Sequence, residues 1–363
     1  MEVLQLTDAA VAGKATDLFL VVGAPPLVRI NGAVQPLEGH ELLSARDVEE
    51  ALSQLATVAE RKVFEEEMEL DFGYSLSSGI RLRCNVALQL NGISLAIRLL
   101  PAKIPTIREL QLPRKYEELV MEPRGLVFVS GPTGSGKSTT LAAMVHHLNT
   151  HVGRHVITIE DPIEYVHTGV KAAVTQRQLG THTRSFARAL KHSLRQNPDV
   201  ILVGEMRDAD TAAAVLSAAE AGHLILSTGQ APSAYQAVER IVDMFPVEER
   251  QLALTRLASL LVAIACQLLV PRADGLGRVA AVEMMIANPA IKAMIRDGKI
   301  HQLPNAIRTH RKEGMISMDE SLVDLYLRGE ISGETVLAFC RDPEEVASHI
   351  RPGGDEKKAK RRK

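Results

Sequence analysis

The stretch VFVSGPTGSGKSTT, residues 127–140, runs from a β-forming apolar segment through a glycine-rich turn into residues that favour a helix. It satisfies GxxxxGK[ST] in the strand, turn, helix context that gives the pattern its meaning. Gly131, Gly134 and Gly136 let the backbone curl so that its N–H groups converge. A β-phosphate fits at their focus, cradled from Gly131 through Pro132, Thr133, Gly134, Ser135 and Gly136 to Lys137, Ser138 and Thr139. Lys137 would reach the β- and γ-phosphates, and Ser138 would ligate Mg2+. The expectation is an α/β nucleotide-binding domain that takes ATP with Mg2+.

The flanking pattern supports this. GLVFVS (125–130) reads as a strand, Lys137–His151 as a helix, HVITIE (155–160) as a strand, Thr183–Arg195 as a helix, VILV (200–203) as a strand, Asp210–Ala221 as a helix and HLILST (223–228) as a strand. Alternation of this kind predicts a parallel sheet with crossover helices. Within LRQNPDVILVGEMRD (194–208), the four apolar residues Val200–Val203 form a strand buried on both faces, so Glu205 leaves the sheet at its carboxyl edge. Ligands bind there in open α/β sheets, which makes Glu205 the candidate to hold the metal through water or to orient the attacking water. ITIEDPIEY (157–165) offers Glu160, Asp161 and Glu164 from the adjacent strand, and spacing alone does not choose among them. The helix from Thr183 carries Arg184, Arg188 and Lys191 on a solvated stripe. Arg195 is singled out because it ends that helix just before the Glu205 strand. From about Pro246 the chain reads as mostly helical, with one hairpin from CQLLVPR (266–272) to RVAAVEMMI (278–286).

Residues 1–100 have another grammar, of strands and turns. LFLVVGAPPLVRINGAVQPL (18–37) holds two β-rich runs and an Asn31-Gly32 hairpin signal, and Leu42–Glu67 is helix-like. In IRLRCNVALQLNGISLAIRLLP (80–101), a two-residue turn at Asn91-Gly92 would pair residues whose numbers sum to 183, setting Arg98 opposite Asn85 and diagonal to Arg83. Leu82, Cys84, Val86, Leu88, Leu90, Ile93, Leu95, Ile97 and Leu99 then form an apolar face, while Arg81, Arg83, Asn85, Gln89, Ser94 and Arg98 share the other. The arginines are either an ordinary solvated face or a site for an anion supplied from outside the domain. PAKIPTIRELQLP (101–113) reads as an ordered linker. The expected division is 1–100, a linker 101–120, the nucleotide domain 121–350 and a basic tail 351–363 ending in KKAKRRK.

Composition excludes several classes. Net charge is −2, from 42 basic and 44 acidic residues, and only 3% of residues are aromatic, so neither a global field nor stacking platforms favour nucleic acid. Three cysteines with no CxxC pair suggest neither zinc nor disulfides, which suits a reducing cytoplasm. No apolar run reaches about 18 residues, so any membrane contact would be peripheral.

LRQNPDVILVGEMRD, the glycine-rich loop and ITIEDPIEYVH together closely resemble the motor ATPases of the type II/type IV secretion superfamily. TDLFLVVGAPPLVRINGAV (16–34) resembles the start of that family's PAS-like N-terminal α+β domain, and RLRCNV (81–86) and AIRLLP (96–101) its arginine segments. The short chain, without a four-cysteine loop, and AIKAMIRDGKIHQLP (290–304) are most similar to the pilus-retraction branch. The resemblance implies a RecA-like P-loop ATPase domain with a parallel-rich sheet, in a homo-hexameric ring at the cytoplasmic face of the inner membrane. It implies ATP hydrolysis driving type IV pilus retraction against an inner-membrane platform protein. It further implies that Glu205 is the catalytic glutamate, ranks Glu164 ahead of Glu160, and has Arg83 and Arg98 complete a neighbour's site. STGQAPSA (227–234) departs from the family's histidine box: His223 is kept, but Gln230 stands where a second histidine is expected, and Pro232 replaces a polar residue. Phe19 likewise replaces a usual histidine. The alternatives are an accessory, weakly hydrolysing subunit beside a paralogous ATPase, or an extension or type II secretion ATPase.

Overall fold

A computed structural model describes residues 2–350 except Asn31, Pro101 and Ala102. The basic tail lies outside the described residues, as do Asn31 of the expected turn and the start of the expected linker. The chain forms two compact units. One reaches Ile104 and also takes in Pro162–Val166, while the other comprises the rest from Pro105.

The first unit is built on six strands, β1 (Asp17–Val21), β2 (Leu27–Ile30), β3 (Ala33–Pro36), β4 (Glu69–Ser75), β5 (Arg81–Gln89) and β6 (Gly92–Leu99). They are hydrogen-bonded in the order β3-β2-β1-β6-β5-β4, every pair antiparallel. Leu18, Leu20, Leu82, Cys84, Val86, Leu95 and Ile97 are buried on one face against Val3, Leu6, Val48 and Leu52 from helices Val3–Ala12 and Ala45–Leu55. The alternation of polar and apolar residues thus sorts the two faces as expected. The register corrects the sequence reading: Gln89 pairs with Gly92 and Arg83 with Arg98, so paired numbers sum to 181, because the reversal falls at Leu90-Asn91. Gly92, at φ +124°, takes the first strand position. A slip of two residues preserves the faces but changes the partners. Leu88 and Leu90 are 54% and 97% exposed, so the apolar face ends before the hairpin tip.

Two further differences are helical. The helix Val3–Ala12 was not anticipated, and the expected helix over 42–67 is two, Ala45–Leu55 and Val58–Glu67. The break has a local cause. Thr57 accepts a hydrogen bond from the Glu60 backbone while Glu60 accepts from the Thr57 backbone, a capping box that restarts the chain as a new helix.

The second unit has seven strands, β7 (Gly125–Ser130), β8 (His155–Glu160), β9 (Ala173–Gln178), β10 (Val200–Val203), β11 (Leu224–Gly229), β12 (Leu261–Pro271) and β13 (Arg278–Ile286), in the order β13-β12-β7-β11-β10-β8-β9. Every neighbouring pair is parallel except the β12–β13 hairpin. Alternate residues of the central strands feed two cores. Val127, Val129, Leu202 and Leu226 meet Leu141, Met144 and Leu148 of the helix Lys137–His151, whereas Phe128, Ile201, Val203 and Ile225 meet Val215, Val238 and Leu257 from helices on the opposite side. All four β10 residues are buried, each worth roughly 1.5–3 kcal/mol of apolar transfer. This is a doubly covered, parallel-rich α/β sheet.

The edge strand β9 was missed because AVTQRQ is polar enough to read as loop. The helix expected over 183–195 spans Phe186–Ser193, capped by Ser185 and followed by a 3-10 turn at Leu194–Gln196. Helices Met318–Leu327, Gly333–Phe339 and Pro343–Ala347 close over β12 and β13 with a small core of their own, including Val270, Ala281, Leu322 and Val336. Among the described residues no helix is long and apolar enough to cross a membrane.

Candidate active site

Strand order lines the candidate groups along one edge. β7 ends in the glycine-rich loop, its neighbour β11 ends at Gly229-Gln230, the next strand β10 runs out through Gly204 to Glu205, and β8 ends at Glu160. At about 4.8 Å per strand, β10 stands roughly 10 Å from the strand that carries the loop.

The loop has the required backbone. Gly131, Gly134 and Gly136 have φ of +142°, +78° and +88°. Gly131 is doubly constrained, since a Cβ there would lie 2.3 Å from the Gln267 carbonyl oxygen. Gly136 is the N-cap of the helix Lys137–His151 and no side chain caps it, so the first-turn N–H groups face the loop. Lys137 Nζ donates to the carbonyls of Gly131 and Pro132 at 2.8 and 2.9 Å. Pro132, Thr133 and Gly134 are exposed, whereas Ser135 is buried and its hydroxyl has no hydrogen-bond partner among the described residues. Ser138 is exposed on the first turn, followed by half-buried Thr139. From below, buried Gln267 donates to Thr140 Oγ1 at 2.9 Å, a support that the sequence did not signal. Converging donors, a lysine and a hydroxyl fit a nucleotide phosphate chain.

Glu205 is held at both oxygens. Gln230 Nε2 donates to Oε1 at 2.9 Å, and Arg207 Nη2 pairs with Oε2 at 2.5 Å. That hydrogen bond is also the largest cause raising the Arg207 guanidinium above its usual pKa. The backbone carrying Glu205 is stitched to β11: Thr228 Oγ1 donates to the Gly204 carbonyl at 2.6 Å, and Met206 N donates to the Thr228 carbonyl at 3.1 Å. A cleft of about 300 Å³ opens here, lined by Phe128, Glu205, Arg207, Gly229, Gln230 and Arg240. Arg207 was missed, although it sits in GEMRD two residues after the glutamate; its role depends on a turn that periodicity does not reveal.

The other singled-out residues divide. Glu160 accepts from Thr158 Oγ1 and Gln176 Nε2 on one oxygen, turned along its own sheet. Glu164 belongs to the segment 162–166 grouped with the first unit, where Arg81 Nε donates to the Ile163 carbonyl at 3.2 Å. Two residues lie elsewhere. His223 precedes β11, so it is at the amino edge, roughly 20 Å of strand from the loop, with Nδ1 3.0 Å from the Ala218 carbonyl oxygen. Arg195 is exposed in the 3-10 turn before β10, at that same far edge. A short strand has two ends, and both residues stand at the wrong one.

In the first unit the polar face of the sheet carries a charged row, Arg29, Asp17, Arg98, Arg83, one residue from each of β2, β1, β6 and β5 in register. Asp17, only 8% exposed, takes Arg98 Nε on one carboxylate oxygen at 3.1 Å and Arg29 Nε on the other at 3.4 Å. Arg98 itself is 62% exposed. Asp17 was not singled out from the sequence; only its cross-strand position shows that it anchors an arginine. The Arg29 guanidinium also lies 5.4 Å over the Phe19 ring, which gives the aromatic at that position a packing role.

Comparison with known proteins is consistent with this geometry. The type IV pilus retraction ATPase PilT of Pseudomonas aeruginosa is 40% identical over 344 residues, 95% of this chain and 99% of that protein. The type IV pilus ATPase PilU of the same organism is 38% identical over 355 residues, 98% of this chain and 93% of that protein. A crystal structure of the pilus retraction motor PilT with bound ADP superposes with a TM-score of 0.89 at 39% identity, covering 96% of this chain and 99% of that one. A family model for type II/IV secretion system proteins matches residues 29–324, most of the sequence, and the chain belongs to that family.

Proposed function

We propose that this protein is an ATPase motor that drives type IV pilus retraction, working as a hexameric ring at the cytoplasmic face of the inner membrane against a platform protein there. The observation that carries the reading is the single sheet edge on which the glycine-rich loop, Gln230 and Glu205 leave adjacent strands. The likeness to PilT supports the biological direction. The loop N–H groups from Gly131 to Thr139, with Lys137, bind the phosphates and orient the γ-phosphate. Ser138, with Glu160 as a carboxylate candidate of the same unit, would supply oxygen ligands to Mg2+, which would neutralise charge on the β- and γ-phosphates. Glu205 orients the attacking water and takes up its proton, held at one rotamer by Gln230 and Arg207. Arg83 and Arg98 of a neighbouring copy complete the charge stabilisation. Their support is the arginine face, which points away from its own unit's core. The corresponding domain division is a PAS-like unit reaching Ile104 and a RecA-like unit from Pro105; from there on, the expected linker over 101–120 belongs to the second unit, because Ile107, Leu112, Tyr116 and Leu119 are buried in its core.

A second reading, an accessory ring subunit beside a paralogous ATPase, is favoured by Gln230 in place of histidine and by the likeness to PilU. Cells carrying Lys137→Ala separate retraction from extension: they should display pili yet fail to twitch, and loss of surface pili would place the protein on the extension side. Substantial ATP turnover by the purified wild type distinguishes the motor from the accessory subunit.

A further inference from the structure

Gln230 stands on a loop, 230–233, whose backbone is gripped from three parts of the second unit. Fully buried Ser130, the last residue of β7, donates to the Ala231 carbonyl at 2.7 Å. Arg341 Nη2 donates to the Pro232 carbonyl at 2.6 Å, and Glu283 Oε1 accepts from the Ala234 N–H at 2.6 Å. Glu283, on β13, is 3% exposed and gives its other oxygen to Arg341 Nη1, also at 2.6 Å. Arg341 is itself fixed from behind. The backbone N–H groups of Arg341 and Asp342 donate to the two oxygens of buried Asp319 at 2.8 and 3.0 Å.

A planar guanidinium presents its two nitrogens in a rigid fork, so one side chain sets both the Glu283 contact and the Pro232 contact. Removing it would leave a buried carboxylate without its cation and the loop carbonyl without its donor. The residue two positions before Pro232 is Gln230, which donates to Glu205.

We propose that Arg341 and Glu283 are positioning residues for ATP hydrolysis: they hold the 230–234 loop so that Gln230 meets Glu205, and thereby tie turnover to the docking of the segment after Phe339 on β12 and β13. The proposal rests on the reading of Glu205 as the residue that activates water.

The test is a double-mutant cycle on the full-length protein, with ATP turnover and the Kd of a fluorescent ATP analogue measured for each variant. Arg341→Gln should lower kcat about tenfold, the loss of a well-made hydrogen bond, with Kd within about twofold. Arg341→Lys, which keeps the Glu283 charge partner but not the fork, should recover part of that loss. Gln230→Ala combined with Arg341→Gln should be no slower than Gln230→Ala alone, because both act through one contact. Unchanged kcat in a folded Arg341→Gln, or losses that multiply in the double variant, overturns the proposal. If Arg341→Gln does not fold, Arg341→Lys carries the same cycle with the same two criteria. Glu205→Gln is the control on the underlying reading: should turnover survive it, that reading falls, whereas its loss alongside a silent Arg341→Gln removes the positioning role alone.

Discussion

In the second unit the glycine-rich loop, Gln230 and Glu205 each leave the end of a parallel strand, whereas in the first the arginines sit mid-strand on the face of an antiparallel sheet. At a strand end, position follows from strand order. Glu205, Gln230 and the loop meet because β10, β11 and β7 are neighbours, and a change of one residue in a strand's length would still leave each group at the edge. On a sheet face, position follows from register. Arg83 and Arg98 are cross-strand partners only because Gln89 pairs with Gly92, and a two-residue slip would separate them. The two regions also restrain their charges differently. Glu205 is held by a neutral amide and a cation, while two arginines, Arg29 and Arg98, share one nearly buried carboxylate, Asp17.

The contrast can be broken at its strongest point first. Glu205→Gln should lower kcat about 10³-fold with nucleotide affinity retained, since a general base acts on the reaction and not on ground-state binding. Equal loss of binding would remove Glu205 from that role. Next, Arg98→Ala or Arg83→Ala should each cost about 10²-fold in turnover, as expected for one donor to a developing charge. Mixing an arginine variant with Glu205→Gln should restore part of the activity, because some interfaces then pair an intact arginine face with an intact strand edge. Demonstrably mixed rings without recovery would argue that the face acts otherwise.

Asp17→Asn sharpens the register side of the comparison. It keeps a hydrogen-bond acceptor but removes the charge that fixes Arg98 beside Arg83, so a several-fold drop in kcat at unchanged Kd is expected, about 1 kcal/mol. If kcat holds while Arg98→Ala is impaired, Arg98 needs no anchoring. One further effect lies away from both sites and bears on stability, not turnover. Burial pushes the His167 imidazole down to about 4. Its folded pKa is below the unfolded value near 6.5, so the unfolded chain binds the proton first and stability falls as pH drops through that window. Urea unfolding should show a loss of about 2 kcal/mol between pH 7 and pH 5 from this group, flattened in His167→Asn.

Much of this was legible in the sequence. The glycine-rich loop, the β10 run with Glu205 at its end and the two faces of β5 and β6 are written in local order, because a phosphate cradle, a buried strand and an alternating strand each need particular residues at fixed short spacings. The capping box that splits the second and third helices was equally local and was overlooked. Other features were not local at all. His223 and Arg195 look close to functional segments along the chain yet stand at the far edge of the sheet, since one β-strand separates its two ends by roughly 3.3 Å per residue. Asp17 lies 81 residues from Arg98, Gln230 lies 25 from Glu205, and Glu283 lies 58 from Arg341. The chain alone determined which chemistry is present: donors for phosphate, a carboxylate at a strand end, arginines on a face. Only tertiary structure decided which partner each charge has, because strand order and register bring together residues whose separation in sequence carries no periodic signal.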